Sequence, residues 1–213
     1  MASDSSSGPN DVKQRIIEEA IRLFGANGFD GTSIQAVADA VGIRKPSLLH
    51  HFASKEVLRE QVIETLLVHW RNELPKLLTS EISGFDRFSS ALTAVVEFFL
   101  ADTNRARLTL REMLDRPETI HGLMTEHLSP LTTVLTDYIR MGQESGTIKR
   151  DVHPESYIIQ VMVMVVGTVA VGDVVGALVH PGGGDSLEPK VSELVRICRD
   201  ALFTAPRPPG TKP

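Results

Sequence analysis

The sequence predicts an all-α fold of about nine helices, with a three-helix helix-turn-helix domain at the N-terminus and a larger helical domain after it. Apolar residues recur every three or four positions along almost the whole chain, as on one face of a helix. No stretch stands out as the apolar–polar alternation of a half-buried strand. The 213 residues are 42% hydrophobic and 23% charged, which supplies a core and excludes disorder of the whole chain.

Each element has its own signals. Val12, Ile16, Ala20, Leu23 and Phe24 make a first helix face, which Gly25 and Gly28 punctuate. Thr32 or Ser33 reads as an N-cap, with Gln35 placed to reach back as in a capping box. The short helix that follows turns Val37, Ala38 and Val41 inward and breaks at Gly42. Pro46 suits the first turn of the next helix, where its missing N–H costs nothing, and Leu48 and Phe52 are the apolar side. Ser54 caps a long helix from Lys55 to about Leu74, which Pro75 ends or kinks. Residues 81–86 read as a loop around Gly84. Phe85, Phe88, Leu92, Val95, Val96 and Phe99 give the next face; Ala106, Leu110, Met113 and Leu114 give another before Pro117. From Ile120 to Tyr138 a longer face carries Pro130 inside it, which kinks or splits it, and Gly142 and Gly146 close it. Pro154 opens a helix through Val179, residues 180–185 form a loop, and Leu187 to Phe203 make the last helix. Residues 1–10 read as a serine-rich tail without the cationic start and apolar run of a signal peptide, and 205–213 as a proline-rich tail. The expected domains are therefore 11–54 and 55–204. Cys198 is the one cysteine, so no internal disulfide forms, which fits a reduced cytoplasmic setting.

The net charge of −5 opposes general adhesion to nucleic acid or anionic lipid, but the positive charge is focused. Arg44 to Lys55 holds three cations and no acid. Residues 1–55 carry six Lys/Arg and six Asp/Glu, whereas the other 158 carry 16 and 21. A basic element on an acidic body is the footprint of a small DNA reader. It coincides with two short helices that meet at Val41-Gly42-Ile43, a helix-turn-helix in which Gly42 can take a left-handed turn.

The stretch from Ile16 to Leu58 resembles the DNA-binding domain of the TetR family of transcriptional regulators. The likeness rests on Ala20, Leu23 and Phe24; on Gly28-Phe29, Thr32-Ser33 and Val37-Ala38; and on Val41-Gly42-Ile43. It continues through Pro46-Ser47-Leu48, Phe52, Ser54-Lys55-Glu56 and Leu58. Gly146 to Pro154 is a looser match to a linker between two C-terminal helices of that family. The resemblance implies a cytoplasmic homodimer on a double-stranded DNA operator, in the first instance a repressor released by a small-molecule effector. By position it implies that Arg44, Lys45 and Ser47 face base edges and that Pro46 sits near the groove floor. Ser33, Gln35, His51 and Lys55 would hold phosphates, and Thr32, Leu49 and His50 complete the contact set. Two positions depart from the family: a tyrosine is usual at Leu49 and frequent at His51. Leu49 gives up a phosphate contact and is left a thymine methyl to meet.

The resemblance also implies that the last two helices, Ile158–Val179 and Leu187–Phe203, pair across a two-fold axis. Ile158–Val179 carries Asp173 as its single charge and several small residues that let helices approach closely. Rival readings are a membrane span and a helix buried inside a monomer; Asp173 at a bilayer centre would cost about 2.5–3.5 kcal/mol. No membrane partner is expected. The middle helices supply a candidate effector pocket: Val96, Phe99, Met113 and Met124, with His69, Trp70, Arg107, Arg111, His127 and Tyr138 to orient a ligand. Glu118-Thr-Ile-His121 is a lone Glu-x-x-His, and a di-iron bundle needs two with further glutamates. No catalytic residue, cofactor or metal is expected. The competing classes are a helical-bundle enzyme or ligand carrier, and an activator or a regulator without a small ligand.

Overall fold

The computed structural model describes residues 9–78, 84–179 and 187–204. Among them lie nine helices: α1 (Pro9–Asn27), α2 (Ile34–Val41), α3 (Lys45–His51), α4 (Lys55–Leu78), α5 (Gly84–Ala101), α6 (Thr103–Asp115), α7 (Pro117–Ser145), α8 (Pro154–Val179) and α9 (Leu187–Leu202). The described residues hold no strand beyond a single bridge, Ile148 to Phe203. The expected tails at 1–8 and 205–213 and the loop at 180–185 lie outside the described residues.

Several boundaries differ from the sequence reading. α1 starts at Pro9, so Pro9 and Asn10 are helical: a proline in the first turn needs no N–H partner, and Asp11 adds favourable negative charge there. The capping box does not close. Ser33 caps α2 by accepting from the Ala36 amide at 3.0 Å, while Gln35 donates to Asp39 at 2.6 Å instead of reaching back. α4 continues through Pro75 to Leu78, and α7 runs unbroken through Pro130. One proline removes one ladder bond, and α4 and α7 pack against each other. α5 begins at Gly84, so the expected loop loses residues 84–86. Leu114 is exposed on α6, and Leu108 takes the buried place.

Three apolar cores organise the chain. In the first, Ile16, Ala20 and Phe24 of α1 meet Val37 and Val41 of α2, Leu48 of α3 and Leu58, Val62 and Leu66 of α4. Leu108 and Ile120 extend this core into α6 and α7. The second joins Val96 and Phe99 of α5, Ala106 of α6, Val165 and Val169 of α8, and Leu194 and Cys198 of α9. The third, Ile139, Ile148, Leu202 and Phe203, closes the far end.

α1 and α6 lie in close contact because Gly25 has no side chain; a Cβ there would stand 2.5 Å from the Asn104 carbonyl oxygen. The Arg15 guanidinium donates to the Val41 carbonyl at 2.7 Å and ties α1 to the end of α2. Gly42 then turns the chain with φ +78°, its amide reaching the carbonyls of Ala38 and Asp39.

Candidate DNA-reading face and ligand cavity

α3 presents its polar residues outward because Leu48 is anchored inward. Leu48 is fully buried in the first core, and Phe52 closes the helix behind it. Arg44, Lys45, Pro46, Ser47, Leu49 and His50 are exposed, and His51 is half-buried. Arg44 caps α3 through its backbone, with no side-chain cap bond, so its guanidinium is not spent on the helix end. Ser33 and Gln35 of the α2 start are exposed as well. Lys55 projects its Nζ over the Phe29 ring, 4.0 Å from the centroid, which narrows the space this cation searches.

Thr32 is a correction. It is only 2% exposed, and its hydroxyl donates to the carbonyls of Gly28 (2.9 Å) and Leu23 (3.1 Å). It fastens the α1–α2 turn and offers nothing to a phosphate.

A cavity of about 200 Å³ runs between α4, α5, α6, α7 and α8. A water needs roughly 10–15 Å³ of such space, so this exceeds a packing defect many times over. Trp70, Phe99, Met113, Met124 and Tyr138 line it, as the sequence proposed. The other five candidates do not. His69 stacks on Phe98 with ring centroids 4.2 Å apart, and burial lowers its pKa below the ordinary histidine value. Val96 is 1% exposed inside the second core. Arg107 donates from Nε to the Ala170 carbonyl at 3.4 Å and approaches Asp173 at 3.9 Å, linking α6 to α8. Arg111 extends toward Gly28, where an added Cβ would lie 3.3 Å from its Nη1. His127 is buried and accepts at Nδ1 from Arg71 at 3.1 Å.

Sequence reasoning missed the α4 and α8 walls. Ile63, Leu66 and Leu67 of α4 line the cavity without any local signal that sets them apart from core residues, and α8 is so uniformly apolar that no face stands out in its sequence. It also missed Arg87, the one charged side chain among the described lining residues. Its sequence neighbours are Asp86 on one side and Phe88 on the other, so nothing local marks it as facing a cavity.

α6 joins the cavity to the reading head. Thr109 and Met113 face the cavity, while Asn104 meets Gly25 and Arg111 approaches Gly28. Between them Glu112 is buried against Arg59 of α4, whose Nε stands 2.7 and 2.9 Å from the two carboxylate oxygens and whose Nη2 is 2.6 Å from one of them.

α8 divides into two faces. Val165, Val166, Val169 and Ala170 enter the second core, whereas Ile159, Val163, Val174, Val175 and Leu178 are exposed, as is Ile197 of α9. α8 is long and apolar enough to cross a membrane by length and composition. Here its inner face packs on α5, α6, α7 and α9, and Lys190 donates to the Gly172 carbonyl at 3.1 Å. Contiguous exposed apolar surface of this kind marks an interaction face.

Glu118 and His121 are exposed, and no group of three or more metal-ligand side chains stands together among the described residues. Cys198 is buried and its thiol pKa is pushed up to about 11, so it is a protonated core residue at neutral pH.

The model of the family described as bacterial regulatory proteins, tetR family, matches residues 16–62. IcaR of Staphylococcus aureus strain Newman, named as the biofilm operon icaADBC HTH-type negative transcriptional regulator, is 39% identical over 138 residues. That alignment covers 65% of this chain and 73% of IcaR. The HTH-type transcriptional repressor DhaR of Mycobacterium sp. strain GP1 is 26% identical over 159 residues, 68% of this chain and 73% of DhaR. Among solved structures, the ketosteroid transcriptional regulator KstR2 of Mycobacterium tuberculosis superposes with a TM-score of 0.71 at 17% identity, over 93% of this chain and 98% of that one. The fatty acid degradation regulator FadR of Bacillus halodurans gives 0.68 at 14%, over 91% and 96%. At these identities the structural likeness speaks to the fold.

Proposed function

The chain belongs to the TetR family of bacterial regulatory proteins and is a helix-turn-helix DNA-binding regulator of transcription; from that premise we propose that it is a cytoplasmic homodimeric repressor released from its operator by a small molecule. Residues 11–54 act as the reading head, and 55–204 bind the effector and form the dimer. The sign of regulation follows the relatives, which are named as a repressor and a negative regulator.

The observation that carries the release mechanism is the double placement of α6, with Thr109 and Met113 on the cavity and Asn104 against α1 at Gly25. A ligand that spreads the cavity displaces α6, and α1 cannot stay still because the Gly25 contact leaves no gap. The two heads of a dimer must sit about one helical turn of DNA apart, roughly 34–36 Å. A ligand that binds better to a subunit with α6 displaced shifts the population toward wrongly spaced heads. Trp70 is the single tryptophan and lines the cavity, so its fluorescence reports occupancy. A compound screen read by Trp70 tests this mechanism: cavity ligands should release bound operator in the same concentration range. Ligands that saturate the Trp70 signal and leave the operator bound would overturn it.

In the bound state Arg44 and Lys45 donate to base edges, with Ser47 beside them, while Pro46 and Leu49 meet thymine methyls. Ser33, Gln35, His50, His51 and Lys55 hold phosphates. Lys45→Ala or Arg44→Ala is expected to cost about 1–3 kcal/mol each at the preferred site and to relax preference at one position, read by binding to a panel of single-base variants. An unchanged preference profile removes that residue from base reading. Lys55→Ala should weaken all sequences alike and lower the slope of log affinity against log salt by about one. An unchanged slope removes Lys55 from the phosphate contacts.

A further inference from the structure

The cavity presents almost nothing but carbon to whatever enters it. Among the described lining residues stand four hydroxyls, and three of them donate to backbone carbonyls. Tyr157 donates to Cys198 at 2.7 Å, Thr109 to Arg105 at 2.8 Å and Thr132 to Ser129 at 2.9 Å. The fourth, on Tyr138, and the Arg87 guanidinium belong to side chains that already have partners within the protein. Burial raises the pKa of both phenols, so Tyr138 and Tyr157 stay neutral. No carboxylate stands among the described lining residues. The rest of the wall is aliphatic, thioether and aromatic, as at Leu66 of α4, Leu92 and Phe99 of α5, Met113 of α6 and Val165 of α8.

These commitments select the ligand by exclusion. A cation would find no acid, and an anion would have to draw Arg87 from the partners it already has. A charge taken out of water without a partner is the costliest group to bury. A ligand hydroxyl or amide that gains no hydrogen bond in the cavity weakens binding roughly 5- to 150-fold. A hydrocarbon has no such loss and gains by leaving water. An apolar cavity of about 150 Å³ stays dry and takes up benzene. This one is about 200 Å³, which by proportion holds roughly eight carbons. We propose that the cavity takes an uncharged, hydrocarbon-like molecule of about eight carbons or more, selected by shape and apolar contact rather than by hydrogen bonds. The assignment rests on the effector reading of the cavity and adds the chemical class of the ligand. Such a ligand lies directly against Met113 of α6, so its bulk rather than a polar group displaces that helix.

The test uses ethylbenzene, benzyl alcohol, benzylamine and phenylacetate at neutral pH. The first three match in size and differ only in a terminal methyl, hydroxyl or ammonium group. Binding to the intact protein is read by calorimetry and Trp70 fluorescence, and release by labelled operator. Ethylbenzene should bind about tenfold or more tighter than benzyl alcohol. Benzylamine and phenylacetate should bind at least about a hundredfold more weakly than ethylbenzene. Ala91→Leu and Val161→Phe add bulk to two walls, α5 and α8, and each should weaken ethylbenzene about tenfold or more. Thermal melts check folding, and two variants guard against one that does not fold. No binding of ethylbenzene, or binding of the alcohol or either ion as tight as that of ethylbenzene, overturns the proposal. Ethylbenzene affinity unchanged in a folded variant also overturns it, since the ligand then sits elsewhere. Selective ethylbenzene binding that leaves the operator bound supports the ligand class and overturns the release mechanism. Operator release by a charged probe that binds in the cavity overturns the class and supports the release mechanism.

Discussion

Val174→Asp is expected to leave each subunit folded and to lower operator affinity by about 10²–10⁴-fold. Val174 is 74% exposed on the outer face of α8, so an aspartate there meets water in the isolated subunit and disturbs no core. Across a two-fold axis it would face a second apolar surface, where an unpaired carboxylate is costly to bury. One helix in the major groove reads only a few base pairs. A dimer gains by holding the second head at high effective concentration over its half-site, which is worth about 10²–10⁴ in affinity. Sedimentation should show the mass halved, and DNA titration should show the matching loss. Leu114→Asp is the control, since Leu114 is equally exposed (72%) but lies on α6 and not on α8. A Val174→Asp protein that stays dimeric would move the interface elsewhere.

Glu112→Ala is expected to destabilise the fold by about 3–5 kcal/mol, the cost of stranding a buried charge whose partner has been removed. Arg59 and Glu112 are 5% and 4% exposed, so little solvent can take over the lost contact. For a chain of this length that corresponds to a fall in melting temperature of roughly 6–20 °C. The pair itself contributes far less than either deletion suggests, because both ions lost their hydration to form it. Arg59→Met combined with Glu112→Leu should therefore recover most of the stability, and thermal melts of the three variants check this. A Glu112→Ala melt within 2 °C of the parent, a margin below about 1 kcal/mol, would mean that water reaches Arg59 in solution.

The reading head was legible because its signals are local. Ser33, Gly42, Pro46 and Ser54 each act within one turn of the chain, through a cap, a left-handed φ or a missing N–H. Thr32 was misread for the same reason: one residue from the true cap, only the fold reveals that its hydroxyl turns back to Leu23 and Gly28. Pro75 does not end α4 and Pro130 does not split α7: each removes one ladder bond, and the helix continues past it. The cavity was half legible. Trp70, Phe99, Met113, Met124 and Tyr138 follow from apolar stripes, but which side of a stripe meets empty space is settled by five helices at once. Arg107, Arg111 and His127 show the limit. Each is a polar residue on a middle helix, and each is drawn to a backbone carbonyl, a glycine or an arginine that lies far off in sequence.

DNA reading by α3 is tested most directly by titrating the purified protein, and its Lys45→Ala variant, into labelled DNA from upstream of its own gene and into genomic fragments selected for binding. The titration is run at several salt concentrations with random DNA as competitor. The expected result is tight, salt-sensitive binding that survives competitor, a bound sequence with two-fold symmetric half-sites, and loss of preference in Lys45→Ala. Binding no better than to random DNA across both DNA sources, or an unaltered preference in the variant, would contradict it.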